Sequence, residues 1–448
     1  MLSTDDIKNF IQMYEADYIP LYDKLWAYFQ GKNTAILDKR SPDPNNPDNR
    51  TPVPYAKKII TTFTGYAYRP RYITYKSEDE AYLEKLQITF NENNEHIKTS
   101  LHGRNTGIFG VSYELLYIDG DKTADPKFAV VDPRQMILIY DNSIEPKKKL
   151  AIRYYKTTVD NMYDVLVYYA DRIETYSMEK TWLGGVDKIV STGTEPNYFK
   201  ALPVAAYYLG DQIQGLIEPV LPLIDDYDLL ISDSMNEFDR FAHAYMRLVG
   251  MSLSGIANSK EPGAISRALQ LIKKRRVFEQ LRDKEDVSFL TKDIPTEYIK
   301  YMSGLIKEQI HNQSHVPDLN GSSFQDGISG VAVQRLMFDF ENVVSAAEAE
   351  FDVGLDDRIS LINNIYKISG QLSGIPGEVT VSHKRNAPLN IKEFADTALV
   401  MQQTGFSRYL VADVMPDDII PNVEQEIERQ EEDNAMMMPD VESFTEVV

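Results

Sequence analysis

Residues 318–336 read DLNGSSFQDGISGVAVQRL: three glycines among small polar side chains, with a strong helical pattern on either side. Upstream, DIPTEYIKYMSGLIKEQIHNQSHVP (residues 293–317) predicts a helix with Asp293 as N-cap, Pro295 in the first turn and Pro317 as the stop. Downstream, Val331, Leu336, Met337, Phe340, Val343, Val344, Ala347, Phe351, Leu355, Ile359, Ile362 and Tyr366 recur with the helical period. They predict one helix of roughly 50 Å, at about 1.5 Å per residue, bent at Gly354. Ser329 is placed to cap it, and Gly327 and Gly330 supply unusual φ angles before it. A glycine-rich loop against a helix raises the question of phosphate binding. A P-loop requires a lysine after its last glycine and a strand before the loop. Here Gly330 is followed by Val331 and Ala332, and the preceding segment is helical. The stretch reads as a flexible loop tethered by two long helices.

Ile224, Tyr227, Leu230, Ile231, Met235, Phe238, Phe241, Tyr245 and Leu248 predict another long helix, ending near Gly250. EPGAISRALQLIKKR (residues 261–275) predicts a shorter one. RVFEQL from Arg276 and VSFLT from Val287, joined by RDKED, predict a hairpin. The order is a helix out, a compact excursion and a helix back. Closer to the N-terminus, residues 5–30 predict an amphipathic helix bent at Pro20, and SPDPNNPDNRTP (residues 41–52) predicts a mobile loop. Helices follow over residues 55–66 and 80–109. Strands are predicted at RYITY (71–75), GVSYELLYIDGD (110–121), KFAVVDPRQMILIY (127–140), LAIRYYK (150–156) and VLVYYADRIETYSM (165–178). EVTVSHKR (378–385) predicts a late strand. Helices are then predicted over 391–403 and 407–415, with an acidic one from Pro421. There is no internal repeat. The fold class is α+β, mostly helical.

The chain has no cysteine, which excludes disulfides, thiolate zinc sites and cysteine nucleophiles. No apolar run approaches the roughly 20 residues of a membrane helix; the longest, over residues 201–209, is broken by Pro203. The start, MLSTDDIKNF, lacks a signal-peptide pattern. Lys and Arg number 47 against 68 Asp and Glu, a net charge of −21. That sign argues against a tight grip on nucleic acid, whose affinity comes largely from cations on phosphates. DNA remains admissible as a passing substrate.

Candidate chemistry is sparse. His311 and His315 are four apart, but a zincin helix has Glu after its first His, and Asn312 stands there; a solvent or interface role fits better. The acidic pairs Asp225–Asp226, Asp356–Asp357 and Asp417–Asp418 read as solvated surface rather than a catalytic dyad. No G-x-S-x-G nucleophile elbow is present. Lys273, Lys274, Arg275 and Arg276, followed by Arg282 and Lys284, form the densest basic run. They suit an acidic partner or nucleic acid as well as a solvated helix end. The 28 tyrosines suit subunit interfaces or β-rich units.

The ordered set of parts resembles the portal proteins of tailed bacteriophages, of the type found in long-tailed phages of Gram-positive bacteria. The likeness spans most of the chain. It is carried by VPYAKKIITTFTGYAYRPRYITY (53–75), by IFGVSYELLYID (108–119) with DPRQMILIYD (132–141), and by LIDDYDLLISDSMNEFDRFAHAYMRLVG (223–250). SGVAVQRLMFDFENVVSAAEAEF (329–351), with KRNAPLNIKEFADTALVM (384–401), completes it. The compact excursion, the loop at 41–52 and the acidic tail after Pro421 depart from the family's pattern.

The resemblance implies a ring of about twelve subunits built from wing, stem, clip and crown. The wing would take residues 1–223, the first stem helix 224–252, the clip 253–294 and the second stem helix 295–317. The tunnel loop would take 318–329, a long helix and strand returning to the wing 330–385, the crown helices 386–433 and a flexible tail 434–448. It implies Asn320, Ser322, Ser323, Phe324, Gln325 and Asp326 in the DNA channel. Lys273, Lys274, Arg275, Arg276, Arg282 and Lys284 would stand at the clip, where partners dock. The implied partners are further copies of this chain, double-stranded DNA in transit, the terminase large subunit, head-completion or adaptor proteins, and capsid and scaffolding proteins. The implied location is the portal vertex of the virion, after assembly in the host cytoplasm. No cofactor, metal, membrane or catalytic residue is expected. A second reading is another ring-forming connector or adaptor of the virion; a nuclease or ATPase would need a catalytic set that the residues do not offer.

Overall fold

The computed structural model describes residues 2–39, 46–118, 125–159, 161–181, 185–242, 245–249, 263, 266, 286–290, 296–319, 330–372, 376–385, 391–415, 420 and 423–437. The chain falls into two units, Met1–Pro317 with Phe340–Lys384, and Asp318–Asp339 with Arg385–Val448.

In the first unit, Ser3 opens α1 (Thr4–Asp17) with a reciprocal cap: its hydroxyl accepts the Asp6 amide, and the Asp6 carboxylate accepts the Ser3 amide. The chain restarts as α2 (Ile19–Phe29), with Pro20 in the first turn, where a missing N–H is harmless. The bend expected there is therefore a break. Asn33 caps α3 (Thr34–Leu37), and α4 (Tyr55–Ala67) leads into β1 (Ile73–Lys76). The helix expected over 80–109 is two, α5 (Glu80–Glu92) and α6 (Glu95–Phe109), split where Asn94 adopts a left-handed φ of 52°. Asparagine tolerates that conformation better than most residues.

Eight strands follow: β2 (Val111–Ile118), β3 (Pro126–Val131), β4 (Met136–Tyr140), β5 (Lys148–Lys156), β6 (Met162–Tyr168), β7 (Arg172–Lys180), β8 (Val186–Pro196) and β9 (Val204–Tyr208). β4 to β8 make an antiparallel meander; β3, β2 and β9 make a second sheet with β2 in its centre. The run expected as one strand over 127–140 is cut by a 3-10 turn at Pro133–Gln135, which sends β3 and β4 to different sheets. β8 was not legible, because it is almost wholly exposed and lacks apolar alternation.

Next come α7 (Leu221–Ala242), β10 (Tyr245–Val249), β11 (Asp286–Leu290), α8 (Thr296–Ser314), α9 (Gly330–Ile368) and β12 (Thr380–His383), which pairs with β1. The expected helix to Gly250 stops at Ala242. The stretch YMRLV instead forms β10 and pairs antiparallel with β11, Tyr245 opposite Leu290 and Val249 opposite Asp286. A short apolar run satisfies both periods, and a distant strand partner decides between them. The partner of VSFLT is thus β10; the RVFEQL half of the expected hairpin, Asp293, Pro295, Gly327 and Ser329 lie outside the described residues. The second unit carries the start of α9 and then α10 (Ile391–Gln403), α11 (Arg408–Asp413) and α12 (Val423–Met437). Among the described residues helix exceeds strand, 53% to 21%, in keeping with the expected class.

The core of the first unit gathers on α9. Phe340, Val344, Ala347, Phe351, Leu355, Ile359, Ile362 and Tyr366 are all buried along one stripe. Phe351 packs on Tyr68 after α4 and Tyr207 of β9, with ring centroids 4.6 and 4.7 Å away. Tyr82 of α5 donates to Asn363 at 2.9 Å. α9 runs as one continuous helix through Gly354. Glycine is needed there for closeness: a Cβ would lie 2.4 Å from the Tyr207 ring and 2.8 Å from the Ala206 carbonyl oxygen.

The same substitution should therefore act in opposite directions on two helices. Gly354→Ala should destabilise by about 1–3 kcal/mol through overpacking. Gly304→Ala, on α8 with nothing within 4 Å, should stabilise by about 1 kcal/mol through helix propensity. Thermal unfolding of the two variants checks this; shifts of the same sign would remove the close-contact explanation.

Candidate functional site

The segments singled out by sequence divide sharply. Asn320, Ser322, Ser323, Phe324, Gln325 and Asp326 lie outside the described residues, as do Lys273, Lys274, Arg275, Arg276, Arg282, Lys284, Asp417 and Asp418. What the structure shows are elements near some of them in sequence: α7 and α8 pack together, and β10 and β11, which lie between those helices in the chain, pair antiparallel.

α8 presents Tyr298, Tyr301 and Leu305 to solvent at steps of three and four, and α7 presents Met235 and Phe238. These large apolar side chains lie in helical register on an exposed face. His311 and His315 do not share a helix face. α8 ends at Ser314, and His315 sits beyond it at a left-handed φ of 56°. His311 is buried rather than solvated: its Nδ1 donates to the Val316 carbonyl at 2.9 Å, closing the helix end, and its ring stands edge-on to Tyr55. Among the described residues no group of three or more His, Asp or Glu is arranged to hold a metal ion.

The acidic pairs are not simple surface either. Asp225 accepts the Tyr28 hydroxyl at 2.5 Å, and Asp357 pairs with Lys148. Burial, with the charges of Asp352 and Asp357, raises the Asp356 carboxyl.

The most concentrated chemistry was missed by sequence reasoning. Arg358 of α9 is 0% exposed. Its Nε donates to Glu114 Oε2 at 2.7 Å and its Nη2 to Glu114 Oε1 at 3.0 Å. Its Nη1 reaches Glu95 Oε1 at 3.0 Å and Thr99 Oγ1 at 2.9 Å. Tyr207 donates to Glu114 and Tyr75 to Glu95, at 3.0 and 2.7 Å. The guanidinium also lies over the rings of Phe128 and Tyr207. One arginine thus joins α9 to α6 and β2, while tyrosines add β1 and β9. The signal was present: Arg358 falls on the apolar stripe of α9, between Leu355 and Ile362, and Glu114 sits inside YELLYI.

His102 completes the cluster, with Nδ1 2.8 Å from Ser112 Oγ and Nε2 3.2 Å from Glu114 Oε1. Burial pushes the imidazole below its usual range. Burial alone would raise the Glu114 carboxyl, but the Arg358 charge and the His102 and Arg358 hydrogen bonds outweigh it and hold it at about 2. An ionised Glu114 can only accept, so Nε2 carries the proton and Nδ1 accepts from Ser112. Ser112, His102 and Glu114 have the connectivity of a hydrolase triad. All three are 0% exposed, and both Glu114 oxygens are taken by Arg358. No substrate reaches the serine, so the trio is a structural one.

Comparison with known proteins gives a consistent picture. The sequence pattern of the family described as Phage portal protein, SPP1 Gp6-like matches residues 8–440. No curated protein sequence matches the chain. Among solved structures, a chain from the neck of a native gene transfer agent (GTA) particle, computed with C12 symmetry, is similar with a TM-score of 0.50. The identity is 10%, over 89% of this chain and 93% of that one. Chains from the neck of an empty GTA particle computed with C6 symmetry and from the virion of a native GTA particle give TM-scores of 0.49 and 0.47, each at 10% identity. They cover 80% and 89% of this chain, and 90% and 94% of their own. At this identity the likeness speaks to fold. No helix among the described residues is long and apolar enough to cross a membrane.

The buried cluster makes stability depend on pH. Glu114 is held at about 2 in the fold against an ordinary 4.5, so its contribution is complete above pH 4.5 and is lost as pH falls toward 2. His102, held below its ordinary 6.5, acts in the same direction: below 6.5 the unfolded chain takes up a proton that the folded chain refuses. Glu114→Gln should flatten the stability curve between pH 4.5 and 2 in urea denaturation; an unchanged slope would show that Glu114 is not linked to folding. Arg358→Met should cost about 3–5 kcal/mol, because it strands a buried carboxylate.

Proposed function

Because the chain belongs to the phage portal protein family, SPP1 Gp6-like, we propose that this portal protein closes into a ring at one capsid vertex and forms the channel through which double-stranded DNA is packaged and ejected. The observation that carries this reading is the match over residues 8–440, nearly the whole chain. A ring of twelve is favoured by the likeness to the neck structure computed with C12 symmetry. The exposed stripe of Tyr298, Tyr301 and Leu305 on α8 supports assembly, because a neighbouring copy would cover it.

In this reading the wing is residues 1–223 and the stem is the pair α7 and α8. The clip is residues 253–294, the tunnel loop 318–329 and the crown 386–433. The clip docks the terminase large subunit and later the head-completion proteins; capsid and scaffolding proteins meet the ring elsewhere. The protein hydrolyses nothing, and a separate motor supplies the work. Sliding DNA must not stick. Twelve copies carry a formal charge of about −250, which opposes tight phosphate binding. The loop residues Asn320, Ser322, Ser323, Phe324, Gln325 and Asp326 include no lysine or arginine, so their hold on the duplex would be polar and transient.

Negative-stain microscopy of the purified chain should show rings with a central hole; a stable monomer at high concentration would count against the assignment. Deleting residues 322–327 should leave ring assembly intact and cripple DNA packaging, and normal packaging by that variant would remove the tunnel-loop assignment. Changing Arg275 and Arg276 to Glu should weaken terminase binding in a pull-down, and unchanged binding would refute the clip-docking role.

A further inference from the structure

The proline-rich stretch between α3 and α4 was expected to be a mobile loop. Its described part, residues 46–53, is instead laid along α7. The Asn49 amide donates to Asn236 Oδ1 at 2.6 Å, the Thr51 amide to Ser232 Oγ at 3.1 Å and the Val53 amide to Asp228 Oδ1 at 2.9 Å. The Asn49 side chain adds bonds to Asn236 at 3.1 Å and Asp239 at 2.6 Å. The acceptors Asp228, Ser232 and Asn236 stand four apart on one helix face; the donors stand two apart on an extended chain. The spacings agree: four helical residues rise about 6.0 Å, and two extended residues rise about 6.6 Å.

The sequence makes this strap one-sided. Pro52 and Pro54 occupy two of the alternate positions, with no N–H and a preference for extended backbone, and the Asn49, Thr51 and Val53 amides all face α7. Both ends are tied. Asn33 donates to Asp228 at 2.8 Å, Tyr28 donates to Asp225 at the next turn, and Arg50 donates to the Leu37 carbonyl. Asp228 and Ser232 are buried beneath the strap, 0% and 3% exposed.

The register is unique. Sliding α7 by one turn in one direction brings Ile224, which accepts nothing, under the Val53 amide. Sliding it the other way brings Arg240, a donor, under the Asn49 amide. We infer that residues 49–53 are a single-register strap that fixes the axial position of α7 on the first unit, and that it stays closed while the protein works. The strap positions the helix and touches no DNA. Its functional half rests on the portal reading, in which α7 is a stem helix; its structural half does not.

The experiment has two arms. Hydrogen exchange on the full chain tests the ladder. Ser232→Ala should speed exchange of the Thr51 amide by about tenfold while helix amides elsewhere keep their protection. Ser232→Thr, which retains an acceptor, should restore it. Unchanged exchange at Thr51 in Ser232→Ala overturns the strap whether or not the chain is a portal. The second arm uses the absence of native cysteine. Asn49→Cys with Asn236→Cys, oxidised to a disulfide, should form rings and package DNA as the wild type does. Rings that assemble but package only when the disulfide is reduced would show that the strap must open, and would overturn the claim that it stays closed. Failure of the wild-type chain itself to form rings or package would count against the portal reading and leave the exchange result standing.

Discussion

A guanidinium without water is a severe constraint, and Arg358 is fully buried. Removing such a charge from solvent costs several kcal/mol, returned only when counter-charges and hydrogen bonds meet it with good geometry. Here they come from α6 and β2, whose carboxylates are held in turn by tyrosines of β1 and β9. Each contributor must be in place before the cluster is satisfied. The arginine therefore selects one rotation of α9 about its axis. The apolar stripe beside it, rich in Ile, Leu and Phe, would tolerate small slips more readily.

The pair Arg358–Glu114 spans 244 residues of sequence. The N-terminal helices and sheets remain without their central helix until α9 has been made and has docked. Contacts of this span close large loops and slow folding. Until then β2, β9, α4 and α5 expose the apolar faces that Phe351, Leu355 and Tyr366 later cover. The excess of Asp and Glu over Lys and Arg, 68 to 47, keeps such a half-formed chain strongly negative and so disfavours its self-association.

Legibility in the sequence followed the source of order. α4, α8 and α9 were readable because their own apolar period encodes them, and so was the order of parts that carries the family resemblance. The end of α7 was not: YMRLV obeys both periods, and a strand some forty residues on settles it. β8 was missed because an exposed edge strand has no inward face to leave an apolar trace. The strap read as punctuation because its order comes from polar side chains of a helix far along the chain. The buried cluster left a mark that went unused, charged residues standing inside apolar stripes, since nothing local distinguishes them from surface charges. The loop and basic run proposed to meet DNA and partners are legible as composition, and composition does not give their placement.

β10 and β11 have a consequence for how such a chain can vary. Their pairing sets Val249 opposite Asp286, so the two ends of residues 250–285 are held side by side. Lengthening a closed segment is cheap, about 0.6 kcal/mol for each doubling. The segment can therefore be enlarged, trimmed or exchanged without transmitting strain to α7 and α8. A lineage that changed the proteins it works with could rewrite those residues and keep the rest of the molecule unaltered.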